Sequence, residues 1–303
     1  MEATSALSCQ SCSWIGIKRS GRRRGRDLRF PLGFGDGRML QNVSLRASPA
    51  AEASHQSRSV ELRISSCFKK NEESKSLHLG VDEALILKGK SEDVIPYLNE
   101  RCIYLVGMMG SGKTTVGKIL AEVLGYSFFD SDKLVEQAVG MPSVAQIFKE
   151  HSEAFFRDNE SKVLRDLSSM HRLVVATGGG AVIRPINWRY MKHGVSVWLD
   201  VPLEALARRI SAVGTESRPL LHNEPGDPYT KALMRLSALS EERGDAYANA
   251  DARVCLQNIA SRQGNGDVSG LTPIAIAIEA LTKIESFLTK DSAPGRLSYL
   301  KSS

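Results

Sequence analysis

The chain has 303 residues, of which 42% are hydrophobic and 24% are charged, a composition typical of a globular protein. It contains no run of about 18 apolar residues, so the sequence predicts no membrane-spanning helix and no membrane partner. The formal net charge is +6, but residues 1–60 hold ten Lys and Arg against four Asp and Glu, which leaves 30 basic and 30 acidic residues in 61–303. This neutral remainder gives no support to a nucleic-acid-binding surface.

The first 60 residues are predicted to be a targeting segment. They contain ten Ser, four acidic residues and a basic cluster over Arg22–Arg26. No apolar stretch follows these charges, which argues against a secretory signal and favours a plastid or mitochondrial transit peptide. A merely disordered basic tail and an RNA-binding arm are the alternatives.

The rest of the chain divides into three predicted parts. Residues 61–94 have the composition of a polar linker, with a short helix near Glu92–Leu98. Residues 95–290 form the folded domain, and residues 291–303 form a flexible C-terminal tail.

Within the domain, apolar runs and helical periodicities alternate along the chain. The predicted strands are Cys102–Val106, Ser127–Phe129, Leu173–Ala176, Val195–Asp200 and Arg253–Leu256. The predicted helices are Lys113–Leu124, one long helix from Ser143 to about Ser168, Leu203–Ile210, Tyr229–Tyr247 and Pro273–Leu288. The segment Gly214–Pro228 is rich in Gly and Pro and is predicted to be a loop. This alternation predicts a three-layer α/β domain with a mainly parallel central sheet.

A phosphate-binding loop is the strongest motif. Residues Gly107–Thr114 match G-x-x-x-x-G-K-[ST] directly after a predicted strand and directly before a predicted helix. Its glycines let backbone N–H groups turn around phosphate oxygens, while Lys113 is predicted to reach the β- and γ-phosphates and Thr114 to bind Mg²⁺. The candidate ATP-binding residues here are Gly107, Met108, Met109, Gly110, Ser111, Gly112, Lys113, Thr114 and Thr115.

Other P-loop classes fit the sequence less well than a small kinase does. GTPases also need a base-reading [NT]KxD motif, which the chain lacks. A large ATPase would need an acidic pair at the end of a strand, whereas the strand Leu173–Ala176 runs instead into Thr177–Ala181, which contains three glycines. Bare backbone at the carboxyl edge of a sheet is where ligands bind in open α/β folds, although a tight strand–helix turn would look the same.

Two carboxylates follow the second strand of the domain. Asp130 and Asp132 are two residues apart, so on an extended chain both would face one cleft. One could hold a water of the Mg²⁺ shell and the other could accept a hydroxyl proton, as kinase carboxylates do. The alternative is that they only cap the next helix.

Six motifs follow one another along residues 95–290, namely Gly107–Thr114, Phe129–Asp132, Phe156-Arg157, Gly178–Ala181, Ser217–Leu221 and Glu242-Arg243. In this order they resemble the shikimate kinases, in particular the plant plastid members. The resemblance implies a nucleoside-monophosphate-kinase-like P-loop fold with a mobile lid, located in the plastid. It implies transfer of the γ-phosphoryl group of ATP to the 3-hydroxyl of shikimate.

The resemblance also implies a role for individual residues. Asp132 would bind the ring hydroxyls and orient or deprotonate the attacking one, and Asp130 would assist Mg²⁺ through water. Arg157 and Arg243 would hold the shikimate carboxylate, for which the guanidinium fork is suited. The remaining expected contacts are the backbone of Gly179 with the substrate and Arg218 with the phosphates, from the lid.

Two rival hypotheses remain at this point. One is a P-loop kinase of another small polyol, such as gluconate. The other is a kinase-like protein that has lost catalysis, which would predict damage to the P-loop or to the substrate arginines. A departure from the family pattern, extra residues over Gln257–Leu271 before Pro273, leaves the adenine-contacting residues unassigned.

Overall fold

The computed structural model describes residues 27–29, 44–46, 75–213 and 227–291. The chain divides into two units, residues 1–56 and 57–303. In the first unit, the described residues form two short antiparallel strands, β1 (Asp27–Arg29) and β2 (Ser44–Arg46). The rest of the predicted transit peptide lies outside the described residues.

The second unit is built on a parallel five-stranded sheet. Its strands are β3 (Ile103–Val106), β4 (Ser127–Asp130), β5 (Leu173–Ala176), β6 (Val195–Asp200) and β7 (Ala252–Cys255). They lie in the order β4-β5-β3-β6-β7, and each neighbouring pair is parallel. All residues of β3 and β5 are buried, as expected where helices cover both faces of a parallel sheet. The predicted three-layer α/β fold is confirmed.

Ten helices surround this sheet in the described part of the unit. They are α1 (Lys75–Leu98), α2 (Lys113–Leu124), α3 (Ser131–Val139), α4 (Val144–Glu150), α5 (Glu153–Ser168), α6 (Pro185–Met191), α7 (Leu203–Val213), α8 (Pro228–Tyr247), α9 (Leu256–Arg262) and α10 (Pro273–Asp291). Within the described ranges, none is both long and apolar enough to cross a lipid bilayer.

The long helix predicted from Ser143 to Ser168 is wrong, because the structure has two helices there. Ser143 caps α4 as expected, with its hydroxyl accepting a hydrogen bond from the Gln146 N–H at 3.2 Å. His151 then leaves helical geometry, and the hydroxyl of Ser152 caps α5 by accepting from the Phe155 N–H. A second serine cap therefore divides the segment.

The extra residues over 257–271 also fold into regular structure. They contain α9 and a short 3₁₀ turn, Val268–Gly270, which lead into α10 at Pro273. Leu256 and Ile259 of α9 and Val268 of the turn are buried in the core. The insertion therefore extends the core at the β7 side of the sheet.

Helix α1 is the main departure from the predicted organisation. The short helix expected near Glu92–Leu98 is the end of a helix that begins at Lys75, so the predicted domain boundary at residue 95 falls inside it. Its residues Leu87, Val94 and Leu98 are buried in the core. Polar contacts fasten α1 to the α10 region, since the Thr272 hydroxyl donates to Glu83 at 2.8 Å.

We predict that replacing the buried side chain of Leu87 destabilises the whole unit. Leu87→Ala should lower the free energy of unfolding by about 2–5 kcal/mol, because a core position of α1 would lose its packing. The measurement is chemical denaturation of the full-length protein.

Leu85→Ala is the matched control, because Leu85 lies on the same helix but is 65% exposed. Its effect should stay within about 0.5 kcal/mol. Equal effects of the two substitutions would show that α1 does not belong to the core.

Candidate active site

The P-loop connects the carboxyl end of β3 to the N-terminus of α2, as predicted. Gly107, Gly110 and Gly112 have φ angles of +145°, +80° and +92°, a region that L side chains rarely adopt. A Cβ at Gly107 would also lie 2.7 Å from the carbonyl oxygen of Leu199. The loop geometry therefore requires glycine at these positions, which accounts for the motif in physical terms.

Lys113 folds back along the P-loop. Its ammonium group donates hydrogen bonds to the carbonyl oxygens of Gly107 at 2.7 Å and Met108 at 2.8 Å, and to the Ser111 hydroxyl at 3.3 Å. A positive charge is thus held against the loop whose backbone is shaped to take phosphate. Thr115, in the first turn of α2, is exposed.

Thr114 and Asp130 bring two oxygen donors together beside the P-loop. The Thr114 hydroxyl donates to Asp130 Oδ2 at 3.0 Å, while Asp130 Oδ1 caps α3 by accepting from the Asp132 N–H at 3.1 Å. Hydroxyl and carboxylate oxygens are ligands that suit Mg²⁺, which takes few protein groups and keeps waters and phosphates as its other ligands. The donor set therefore fits a nucleotide-bound magnesium ion.

Asp132 does not lie on an extended strand, as the sequence had suggested, but in the first turn of α3. Its Oδ1 atom is buried and has no hydrogen-bond partner among the described residues. The pKa of Asp132 is raised to about 7, mainly by burial and then by the charges of Glu160 and Asp130. The positive charges of Lys113 and Arg157 oppose this rise. This carboxylate therefore gains and loses a proton near neutral pH.

Glu160 is a functional candidate that sequence analysis missed. It is fully buried, and its Oε1 atom has no hydrogen-bond partner in the described ranges. A Cβ at Gly178 would lie 2.5 Å from this atom and 2.5 Å from Asp132 Oδ1, so both carboxylates converge on the Gly178 backbone. Burial raises the pKa of Glu160, against the opposing charge of Arg157.

Arg157 is buried and paired on two sides. Its guanidinium group lies 2.8 Å from Glu160 and 3.1 Å from Glu153, one helical turn away in each direction along α5. Burial alone would lower the pKa of Arg157, but these carboxylates reverse the effect and raise it. The guanidinium also packs so closely on Gly180 that any Cβ there would clash. The three-residue spacing of Arg157 and Glu160 is the signal that could have revealed Glu160.

One cavity joins the predicted substrate residues. It has a volume of about 360 Å³, within the usual range for small-molecule sites. Its lining includes Met109, Asp130, Asp132, Arg157, Gly178, Gly179, Gly180 and Arg243, together with Phe148 and Phe156. The structure therefore brings together the predicted carboxylates, the two arginines that were predicted to bind a carboxylate, and the glycine loop that follows β5, Gly178–Gly180. Arg218 and the predicted lid residues 214–226 lie outside the described residues.

Comparisons with known proteins agree with this geometry. A model of the shikimate kinase family matches residues 109–272. Shikimate kinase 2, chloroplastic, from Oryza sativa subsp. japonica is 64% identical over 296 residues, covering 96% of this chain and 93% of that protein. Shikimate kinase, chloroplastic, from Solanum lycopersicum is 54% identical over 294 residues, covering 95% and 97%.

A solved structure is also similar. The shikimate kinase from Acinetobacter baumannii, in complex with shikimate, is 31% identical with a TM-score of 0.50, and the match covers 67% of this chain and 99% of that one. The chloroplastic names of the plant relatives confirm the predicted plastid location. Given the family match and near full-length similarity, the chain belongs to the shikimate kinase family.

Proposed function

We propose that this chain transfers the γ-phosphoryl group of Mg·ATP to the 3-hydroxyl group of shikimate. The observation that carries the proposal is the position of Asp132, in one cavity with Arg157 and Arg243 and within the electrostatic influence of Lys113. A hydroxyl acceptor that also bears a carboxylate matches this arrangement of groups. The similar enzyme from Acinetobacter baumannii, solved in complex with shikimate, supports the same substrate.

At the nucleotide end, the backbone of the P-loop and Lys113 would hold the phosphates. Thr114 would bind Mg²⁺ directly, and Asp130, hydrogen-bonded to it at 3.0 Å, would act through water. The ion would neutralise charge on the transferring phosphate. Arg218, between α7 and α8, would close over the phosphates as part of a lid, a role inferred from the family motif alone.

At the acceptor end, Arg157 and Arg243 would hold the substrate carboxylate. Both side chains are buried, at 8% and 6% exposure, so an anion between them would be shielded from competing water. Gly179 lines the same cavity, where its backbone can approach the ring.

Asp132 would orient the attacking hydroxyl and take its proton. A carboxyl group whose pKa lies near 7 is matched to proton transfer at neutral pH. The transition state of phosphoryl transfer carries its charge mainly on the phosphoryl oxygens, so positioning and charge neutralisation would provide most of the rate. The hypothesis of lost catalysis predicted damage to the P-loop or arginines, whereas Lys113, Arg157 and Arg243 are all present.

The direct test is ADP release by the purified full-length protein with ATP, Mg²⁺ and a panel of hydroxy acids that includes shikimate and gluconate. Shikimate should support turnover, and Lys113→Ala should lower kcat by roughly 10²–10³-fold because a charge at the transferring phosphate is lost. Lys118→Ala, an exposed lysine of the same helix, should leave kcat unchanged. Turnover with gluconate but not shikimate would overturn the proposal.

We also expect Arg157→Ala to weaken shikimate binding selectively. Loss of one charge-assisted contact should lower shikimate affinity by roughly 10–150-fold and leave ATP affinity nearly unchanged. Calorimetric titration with each ligand separately measures both affinities.

Arg165→Ala is the control for this substitution, since Arg165 is an exposed residue of the same helix. It should alter neither affinity. If Arg157→Ala reduces binding of both ligands equally, Arg157 supports the fold rather than the substrate.

Asp132→Asn should lower kcat at least tenfold, because a typical general base contributes about 10²–10⁴ in rate. It should also change how stability depends on pH. The pKa of Asp132 is about 7 in the folded protein, against the ordinary aspartate value of 3.8 in the unfolded chain. The folded state therefore binds this proton more tightly, and the wild-type protein loses stability as pH rises from about 4 to about 8.

Asp132→Asn removes that loss, so the variant should be more stable than wild type at pH 8, by on the order of 2–4 kcal/mol, and similar to it at pH 4. Denaturation at both pH values measures the difference. Asp82→Asn, at an exposed position of α1, is the control for replacing a carboxylate by an amide. A variant less stable than wild type at pH 8 would contradict the proposed electrostatics.

A further inference from the structure

Tyr247, the last residue of α8, makes a contact with the glycine loop that none of the functions above uses. Its hydroxyl donates a hydrogen bond to the carbonyl oxygen of Gly179 at 2.5 Å, although the two residues are 68 positions apart. Tyr247 itself is 2% exposed, and its bond to Gly179 is partly buried. This hydrogen bond ties the end of α8 to the loop after β5.

This contact fixes the part of the loop that local structure leaves free. The carbonyl oxygens of Gly178 and Gly180 accept backbone hydrogen bonds from Ala181 and Ile183 within the loop's own turn. The Gly179 carbonyl is instead held by Tyr247. Glycine has wide conformational freedom, so an outside contact is needed to fix the orientation of this peptide.

Arg157 packs against the same peptide group, the one between Gly179 and Gly180. The peptide group between Gly179 and Gly180 is planar, so holding the carbonyl also sets the position of the Gly180 backbone. The Arg157 guanidinium packs directly against Gly180, with no room for a side chain. Movement of this peptide would therefore displace one of the two arginines at the acceptor end of the cavity.

The other arginine belongs to the same helix as Tyr247. Arg243 and Tyr247 are four residues apart on α8, which places them on one face, and both are buried. The Tyr247 ring stacks on Trp198 at 5.7 Å between centroids, and the Arg253 guanidinium lies over the Trp198 ring at 4.6 Å from its centroid. Arg253 is itself paired with Asp200 at the end of β6.

We infer that Tyr247 is a positioning residue for the acceptor substrate, which holds the Gly179–Gly180 peptide so that Arg157 and Arg243, both at the acceptor end of the cavity, keep a fixed separation. The inference rests on the proposed function and adds a residue that touches neither reacting group. Burial raises the pKa of Tyr247 to about 12, so its hydroxyl remains a donor throughout the working pH range.

The test is Tyr247→Phe, which keeps the ring and its stacking and removes the donor. The KM for shikimate should rise by roughly 5–20-fold, with the KM for ATP unchanged and kcat altered less than twofold, because a hydrogen bond that positions only the acceptor is lost. Shikimate binding without nucleotide, measured by calorimetry, should weaken by the same factor.

Tyr104→Phe is the matched control. Tyr104 is a fully buried tyrosine on β3, outside the cavity. This substitution should leave both KM values unchanged, so a general effect of removing a buried hydroxyl is separated from a positioning effect.

The outcomes separate the inference from the proposed function. If wild type binds shikimate and Tyr247→Phe binds it equally well, the inference is wrong and the function stands. Equal rises in the KM for shikimate and ATP would also overturn the inference, because they would indicate a purely structural role.

If Tyr247→Phe is unstable, a second variant, Trp198→Phe, should still raise the shikimate KM selectively, because it reduces the stacking on Tyr247. A wild-type protein that does not bind shikimate would refute the proposed function itself.

Discussion

The carboxylates of Asp132 and Glu160 are both buried beside Gly178, each 2.5 Å from the position that a Cβ would take there, and most of the site follows from this crowding. Like charges at close range in a protein interior cannot both remain ionised without a compensating cation. Arg157 supplies that cation, because it lies 2.8 Å from Glu160. The same crowding explains why the loop after β5 has glycine at position 178, since any side chain there would collide with both carboxylates.

The sheet explains why these groups meet. The carboxyl ends of the parallel strands β3, β4 and β5 lie side by side, so the P-loop, Asp130 and the glycine loop emerge at one edge. Helices α5 and α8 bring the two arginines from a distance, Arg157 and Arg243. The nucleotide end is thus determined by short connections, whereas the acceptor end depends on how two helices pack.

The parts that sequence predicts well are those whose signal is local. The spacing of its glycines identifies the P-loop, and short apolar runs identify β3 and β5. Tyr247 contacts Gly179 of another element, so no local pattern reports this contact, whereas the only local sign of Glu160 is its helical spacing from Arg157. The length of α1 was underestimated because Gly89 and Pro96, which are weak helix formers, lie within it. Packing against α10 outweighs their effect. Asp132 was misplaced because the Asp130 side chain starts a helix immediately after β4.

The packing of α1 sets a limit on maturation of the protein. Leu87 and Val94 fill the core alongside α10, and Glu83 binds the residue that precedes that helix. A processing protease that cut within this stretch would remove part of α1. The apolar core surface that α1 covers would then be exposed to solvent. Removal of the plastid leader is therefore compatible with a stable enzyme only if the scissile bond lies upstream of these residues, so that the mature protein retains α1.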